Sequence, residues 1–218
     1  GLLKRIVACG ASVAAIQIKL GQSGRTVGTG FLVKGSDFSP TLSSDKSYIL
    51  TNAHVVWDHA RNQGHEDKAI SPEVARIVFE NDQIDGRPDV YTCRVVWQSP
   101  SSQLDATLIE LNRRVDHIAP LEIAPANTPL SVASGTTKGT KLAVLGHPQG
   151  GNLSIGVLGS LDEMQGTLVD RGPRANTENP VFLHYMTPTE PGNSGSPVFE
   201  AESWRVVALH HVGFVEGT

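Results

Sequence analysis

Pro191-Gly192-Asn193-Ser194-Gly195-Ser196-Pro197-Val198-Phe199 holds a serine between two glycines, directly before a short apolar run. The glycines allow a sharp turn on either side of the hydroxyl, and the run 196–199 reads as a strand leaving that turn. Two segments upstream complete a pattern. Tyr48-Ile49-Leu50-Thr51-Asn52-Ala53-His54-Val55-Val56 is an apolar strand that ends in small polar residues and delivers a histidine. Leu104-Asp105-Ala106-Thr107-Leu108-Ile109-Glu110-Leu111 places an aspartate at the head of another apolar strand. Singly, each has an ordinary reading: a turn histidine, a capping aspartate, a glycine-rich turn. In the order His, Asp, Ser they form a set able to carry nucleophilic catalysis.

The chemistry accounts for the residue types. A serine hydroxyl is a weak nucleophile at neutral pH and needs an adjacent base. His54 can take its proton and later return it to a leaving group. A carboxylate at Asp105 would fix the imidazole tautomer and stabilise the imidazolium. The turn Gly192-Asn193-Ser194 would aim the backbone N–H groups of Gly192 and Ser194 at one point, where an oxyanion of a tetrahedral intermediate forms.

The rest of the chain supplies a matching scaffold. Apolar runs at 13–20, 27–33, 48–50, 74–79, 90–97, 106–111, 141–145, 153–161, 181–185, 196–199 and 204–211 are short and rich in Val, Ile, Leu and Thr. They read as strands, and so many short strands among 22 glycines and 13 prolines predict an all-β barrel or sandwich. Only residues 2–9 and 53–60 have helical character. Residues 112–139 have poor periodicity, with Pro120, Pro125 and Pro129, and read as a crossover between two barrels. Residues 35–47, 59–71 and 166–180 read as surface loops.

These segments resemble the trypsin-like serine peptidase superfamily, in particular its bacterial glutamyl-endopeptidase and HtrA-like branches. Gly28-Thr29-Gly30-Phe31 resembles the strand that precedes the histidine segment there, and Val144-Leu145-Gly146-His147-Pro148 resembles an early strand of the second barrel. The resemblance spans residues 10–214 and implies two six-stranded Greek-key β-barrels with the active site in the cleft between them. On that plan residues 1–112 form an N-terminal barrel carrying His54 and Asp105. Residues 113–140 form the linker, and residues 141–218 form a C-terminal barrel carrying Ser194. Only 212–218 follow the last strand run, so the closing strand of the second barrel is expected to be missing or supplied elsewhere.

The resemblance implies a serine endopeptidase working through an acyl-enzyme, with His54, Asp105 and Ser194 as its triad and the Gly192 and Ser194 N–H groups as its oxyanion hole. Arg5-Ile6-Val7 looks like a zymogen cleavage site, but the position before the nucleophile is Asn193 rather than aspartate. A new amino terminus would lack its counter-charge, so residues 5–6 are read as part of an N-terminal segment. Relatives that cleave after Lys or Arg carry aspartate six residues before the nucleophile, where this chain has Pro188. Thr189 and His210 stand at offsets that resemble proteases selecting Glu or Gln. The alternative is an apolar pocket with His210 as a core histidine. His211, its neighbour on a strand, should point the other way.

The net charge of −4 and pI near 6.1 give no case for binding nucleic acid or an anionic membrane. Cys9 and Cys93 make no disulfide framework, which favours a reducing, cytoplasmic setting. His59, His65, His117, His147 and His184 have no metal-ligand spacing, so neither a metal nor another cofactor is expected. The expected partners are protein or peptide substrates together with further domains or a partner protein. An inactive trypsin-like module and a protease activated by its partner are the competing classes.

Overall fold

The computed structural model describes residues 1–20, 23–62, 64–85, 87–134, 138–156, 167–173, 181–187 and 189–211. A helix, α1 (Leu2–Ala11), precedes seven strands: β1 (Val13–Leu20), β2 (Ser23–Val33), β3 (Tyr48–Thr51), β4 (Ala75–Ile84), β5 (Arg87–Tyr91), β6 (Cys93–Ser99) and β7 (Ala106–Leu111). Six more follow: β8 (Leu142–Gly146), β9 (Ser154–Gly156), β10 (Thr167–Pro173), β11 (Val181–Met186), β12 (Pro197–Glu200) and β13 (Val206–Leu209). Among the described residues no helix is long and apolar enough to cross a membrane.

The first seven strands form one antiparallel sheet in the order β5-β4-β1-β2-β3-β7-β6. Its two edges, β5 and β6, are successive halves of one extended segment that breaks only at Thr92. There the N–H of Thr92 donates to Asn112 Oδ1 (3.1 Å) and its carbonyl accepts from the Asn112 N–H (2.9 Å). One bent strand therefore pairs with β4 at one end and β7 at the other. The sheet curls onto itself as six strands, which leaves no long unpaired edge. The second half holds a four-stranded sheet, β13-β12-β8-β9, and the hairpin β10-β11.

Side-chain alternation explains why several strands are buried along their whole length. In β7, Ile109 and Leu111 enter the core of the first sheet, whereas Leu108 points into a second core shared by both halves. In β8, Ala143 and Leu145 enter that shared core, and Leu142 and Val144 enter a third beneath the second sheet. Period-2 patterning with both faces apolar is what such doubly covered strands require. The shared core joins Phe31 and Tyr48 to Phe199 and Trp204, and it carries Leu2, Ile6 and Cys9 of α1. Ile6 is thus a packing residue of a helix, whose Arg5 also donates to the Glu202 carbonyl at 3.0 Å. The crossover lies against both halves: the Leu121 N–H donates to Leu32 O (2.8 Å), and the Val206 N–H donates to Glu122 O (2.9 Å).

Two local readings change. Residues 53–60 are not a helix. After one turn, in which the N–H groups of Val55 and Val56 both reach Asn52 O, the chain pairs with Ile70. The Trp57 N–H donates to Ile70 O at 3.0 Å, so the amide that a second helical turn would use is taken. Within the expected loop 166–180 lies β10, paired with β11. Of the run 153–161 only Ser154–Gly156 is seen as strand. Residues 157–161, Pro188 and residues 212–218, after which the closing strand was expected to be missing, lie outside the described residues.

Candidate active site

Three elements converge on the candidate residues. His54 follows β3, Asp105 precedes β7, and these strands are paired neighbours, with Thr51 opposite Thr107. That register puts the two side chains side by side. Asp105 Oδ1 accepts the backbone N–H of His54 at 3.0 Å, and Asp105 Oδ2 lies 2.7 Å from His54 Nδ1. The Asp105 side chain is buried, whereas that of His54 is 35% exposed and reachable. The bond through Nδ1 leaves Nε2 as the free face of the ring.

Asp105 occupies the left-handed backbone region, with φ of 49°. For a non-glycine residue this costs about 1–2 kcal/mol and persists only where the surroundings enforce it. Here the Asn52 side-chain amide donates to Asp105 O (2.8 Å), and the Asp105 N–H donates to Pro100 O (3.0 Å). A further donor, His211 Nδ1, also bonds Asp105 Oδ2. Burial alone would raise the Asp105 pKa, but the bonds from His211 and His54 overcome it and hold the carboxyl well below its usual range. The two histidines and the aspartate lie close enough together to suggest a metal site. Two ligand atoms on a tetrahedral zinc stand about 3.3 Å apart, given bonds of about 2.0–2.1 Å. At 2.7 Å, His54 Nδ1 and Asp105 Oδ2 are instead at hydrogen-bond distance.

Ser194 lies on the tight turn before β12, pinned from both halves of the chain. From β2, the Thr29 N–H donates to Ser194 O (2.8 Å), and the Thr29 hydroxyl donates to Gly192 O (2.8 Å). The same hydroxyl accepts the His147 N–H at 3.1 Å, and Thr29 O accepts the Thr51 hydroxyl at 2.7 Å. From the other side, the Gly195 N–H donates to His210 O (2.9 Å), and the His210 N–H donates to Ser196 O (2.8 Å). Gly192 and Gly195 have φ of 99° and 87°. A Cβ at Gly195 would stand 2.0 Å from Thr29 O, and one at Gly192 would stand 2.4 Å from His147 O, so neither position admits a side chain. Among the described residues, the N–H groups of Gly192 and Ser194 have no acceptor, and no hydrogen bond joins the Ser194 hydroxyl to His54. Backbone neighbours bring the two regions together: a Cβ on Gly28 would lie 3.2 Å from Ser194 O and 2.6 Å from Val55 Cγ1.

At the two positions expected from sequence to line a specificity pocket, His210 is buried and Thr189 half-buried. His210 Nδ1 lies 2.6 Å from the Tyr185 hydroxyl on β11. Burial, with repulsion from His211 and His54, pushes His210 down to about 4. Burial likewise raises the Tyr185 phenol, which keeps its proton. The two adjacent histidines do point apart, one to Tyr185 and the other to Asp105. Sequence reading assigned no role to Thr29, Asn52, Tyr185 or His211. The motif around Thr29 was visible as a resemblance, but the contacts of all four are long-range and leave no local pattern.

The trypsin-like peptidase domain family matches residues 28–209, and the chain belongs to that family. Solved structures agree on the fold. The serine endoprotease from Yersinia pestis superposes with a TM-score of 0.61 at 16% identity, over 98% of this chain and 58% of that one. Deg5 gives 0.57 at 14% identity, over 97% and 84%. The Rv3671c protease from M. tuberculosis H37Rv, in its inactive form, gives 0.53 at 19% identity, over 98% and 83%. No curated protein matches the chain by sequence.

Proposed function

We propose that this chain is a serine endopeptidase in which Ser194 attacks the scissile carbonyl, His54 is its base and Asp105 orients that base. The observation that carries the reading is the doubly bonded His54–Asp105 pair on adjacent strands. With Nδ1–H directed at Asp105, Nε2 is the lone-pair nitrogen able to take the serine proton. The acyl-enzyme forms as the serine oxygen replaces the amine, which leaves with the proton carried by His54. Water then repeats the sequence in reverse order of roles. The Gly192 and Ser194 N–H groups, free of protein acceptors, serve as the oxyanion donors. One such donor is worth about 3 kcal/mol of transition-state stabilisation.

The same reading assigns Thr189 and His210 to the primary specificity pocket. Among the described residues, the Tyr185 hydroxyl has no acceptor other than His210 Nδ1, so Nε2 of that ring carries the hydrogen and the ring stays neutral. A neutral N–H donor and a threonine hydroxyl suit a side-chain oxygen and leave a cationic side chain unpaired. Glutamine or glutamate before the cut is the expected preference. Profiling cleavage of a mixed peptide library tests both levels at once. Cuts dominated by Glu or Gln, weakened at least ~10²-fold in His210→Ala, are expected from the loss of a buried polar match. Dominant Leu, Phe or Arg would contradict the pocket, and no hydrolysis of any peptide would contradict the peptidase.

A further inference from the structure

Asp105 Oδ2 is shared by two imidazoles. His54 Nδ1 lies 2.7 Å away, and His211 Nδ1 bonds the same oxygen, while Oδ1 takes the His54 backbone N–H. The carboxylate side chain is only 2% exposed, so its lone pairs must be satisfied by the protein. His211 itself is held by its surroundings. Its ring sits edge-on to His54 with centroids 6.1 Å apart and lies 5.9 Å from Phe182. The preceding residue is bonded through its backbone to both Gly195 and Ser196 of the nucleophile turn. One two-residue segment therefore ties the serine turn to the aspartate.

We propose that His211 is a positioning residue for the base, a second imidazole that donates Nδ1–H to Asp105 and sets how much of the carboxylate charge reaches His54. The inference rests on Asp105 being the carboxylate behind the base. Two N–H donors on one oxygen restrict rotation of the carboxylate and keep Oδ2 aimed at His54 Nδ1. They also spread its charge, so the imidazolium of His54 draws less stabilisation from an oxygen it shares. Among the described residues, the titratable groups around His211 are Asp105, His54 and the adjacent His210, with Tyr185 behind that ring.

Removing the donor should act on turnover and on pH dependence rather than on substrate binding. In His211→Leu, kcat should fall about 10- to 100-fold, the loss expected for a hydrogen bond to a charged group, with KM nearly unchanged. The acid limb of kcat/KM should move to higher pH, because Asp105 then stabilises the His54 imidazolium alone. His211→Asn, whose side-chain amide can occupy the place of Nδ1, should recover most of both effects. A purely structural residue would shift stability but leave the acid limb in place. Wild-type kcat and an unmoved acid limb in folded His211→Leu would overturn the proposal. An independent arm needs no turnover. In Ser194→Ala protein, proton–nitrogen NMR should show protected imidazole Nδ1–H signals for His54 and His211 beside that of buried His147, which donates to Gly151 O (3.0 Å), the first lost in His54→Asn and the second in His211→Asn. A spectrum from which His211→Asn removes no such signal would equally overturn it. A wild-type chain without hydrolysis would instead sink the peptidase reading, while the NMR arm still decides whether His211 bonds Asp105.

Discussion

At the scale of single residues, the site depends on groups held where they would not rest unaided. Asp105 sits at positive φ, fastened by Asn52 and Pro100, and its carboxylate faces three N–H donors. An amide at this position can present its NH2 to His54 Nδ1 and stabilise the wrong tautomer. Asp105→Asn should therefore lower kcat by around 10⁴-fold with the fold intact. Steady-state kinetics on the folded variant checks this, and near-normal turnover would mean that another carboxylate orients the ring. The candidate residues His54, Asp105 and Ser194 were legible because each carries its chemistry in its type and sits in a recognisable local segment. The residues that support them were not. Asn52 and His211 look in sequence like a turn residue and a strand residue, and only folding across more than fifty and a hundred positions brings them to Asp105.

At the scale of elements, β2 is the strap that fastens the serine turn. Thr29, fully buried, makes four hydrogen bonds that reach Gly192, Ser194, His147 and Thr51. Thr29→Val keeps the shape and the two backbone bonds but removes the hydroxyl, leaving Gly192 O without its donor and the His147 N–H without its acceptor. Unpaired buried groups of this kind cost about 1–3 kcal/mol each. The variant should lose stability of that order in chemical denaturation and should lose kcat as the oxyanion donors loosen. A variant as stable and as active as wild type would show that the strap is dispensable. Strand positions were largely readable from apolar period-2 runs, because strands covered on both faces are apolar throughout. The expected helix at 53–60 fails for a reason local pattern cannot contain: Ile70 claims the amide of Trp57. The closure of the first sheet by the bend at Thr92 is equally a long-range matter, decided by Asn112.

At the scale of the whole molecule, two curled halves share one apolar core, and the candidate site lies where β2 and the loop before β7 meet the turn before β12. Burying His210 there makes folding pH-dependent. Its ordinary pKa of 6.5 falls to about 4 in the folded chain, so between those values the unfolded chain binds the proton and the folded chain does not. Stability contributed by the neutral ring is thus fully present above about pH 6.5 and lost as pH falls towards 4, by about 3 kcal/mol in all. The depressed Asp105 carboxyl adds a separate loss only at pH below its ordinary value. Denaturant titrations across this range should show the decline, and His210→Gln should flatten it between pH 6.5 and 4. An equal slope in both proteins would contradict a buried neutral imidazole. The all-β class was legible from strand spacing and the two-barrel plan was implied by the family resemblance of the His, Asp and Ser segments, whereas the packing of the linker against both halves was not.

The central claim is that Ser194 is a nucleophile activated by His54. A fluorophosphonate probe measures this most directly, because it is attacked by an activated serine and stays bound to it. The purified chain should be labelled on one peptide containing Ser194, with labelling abolished in Ser194→Ala and slowed by orders of magnitude in His54→Ala. An unlabelled wild-type chain, or equal labelling of the Ser194→Ala protein, would contradict the account.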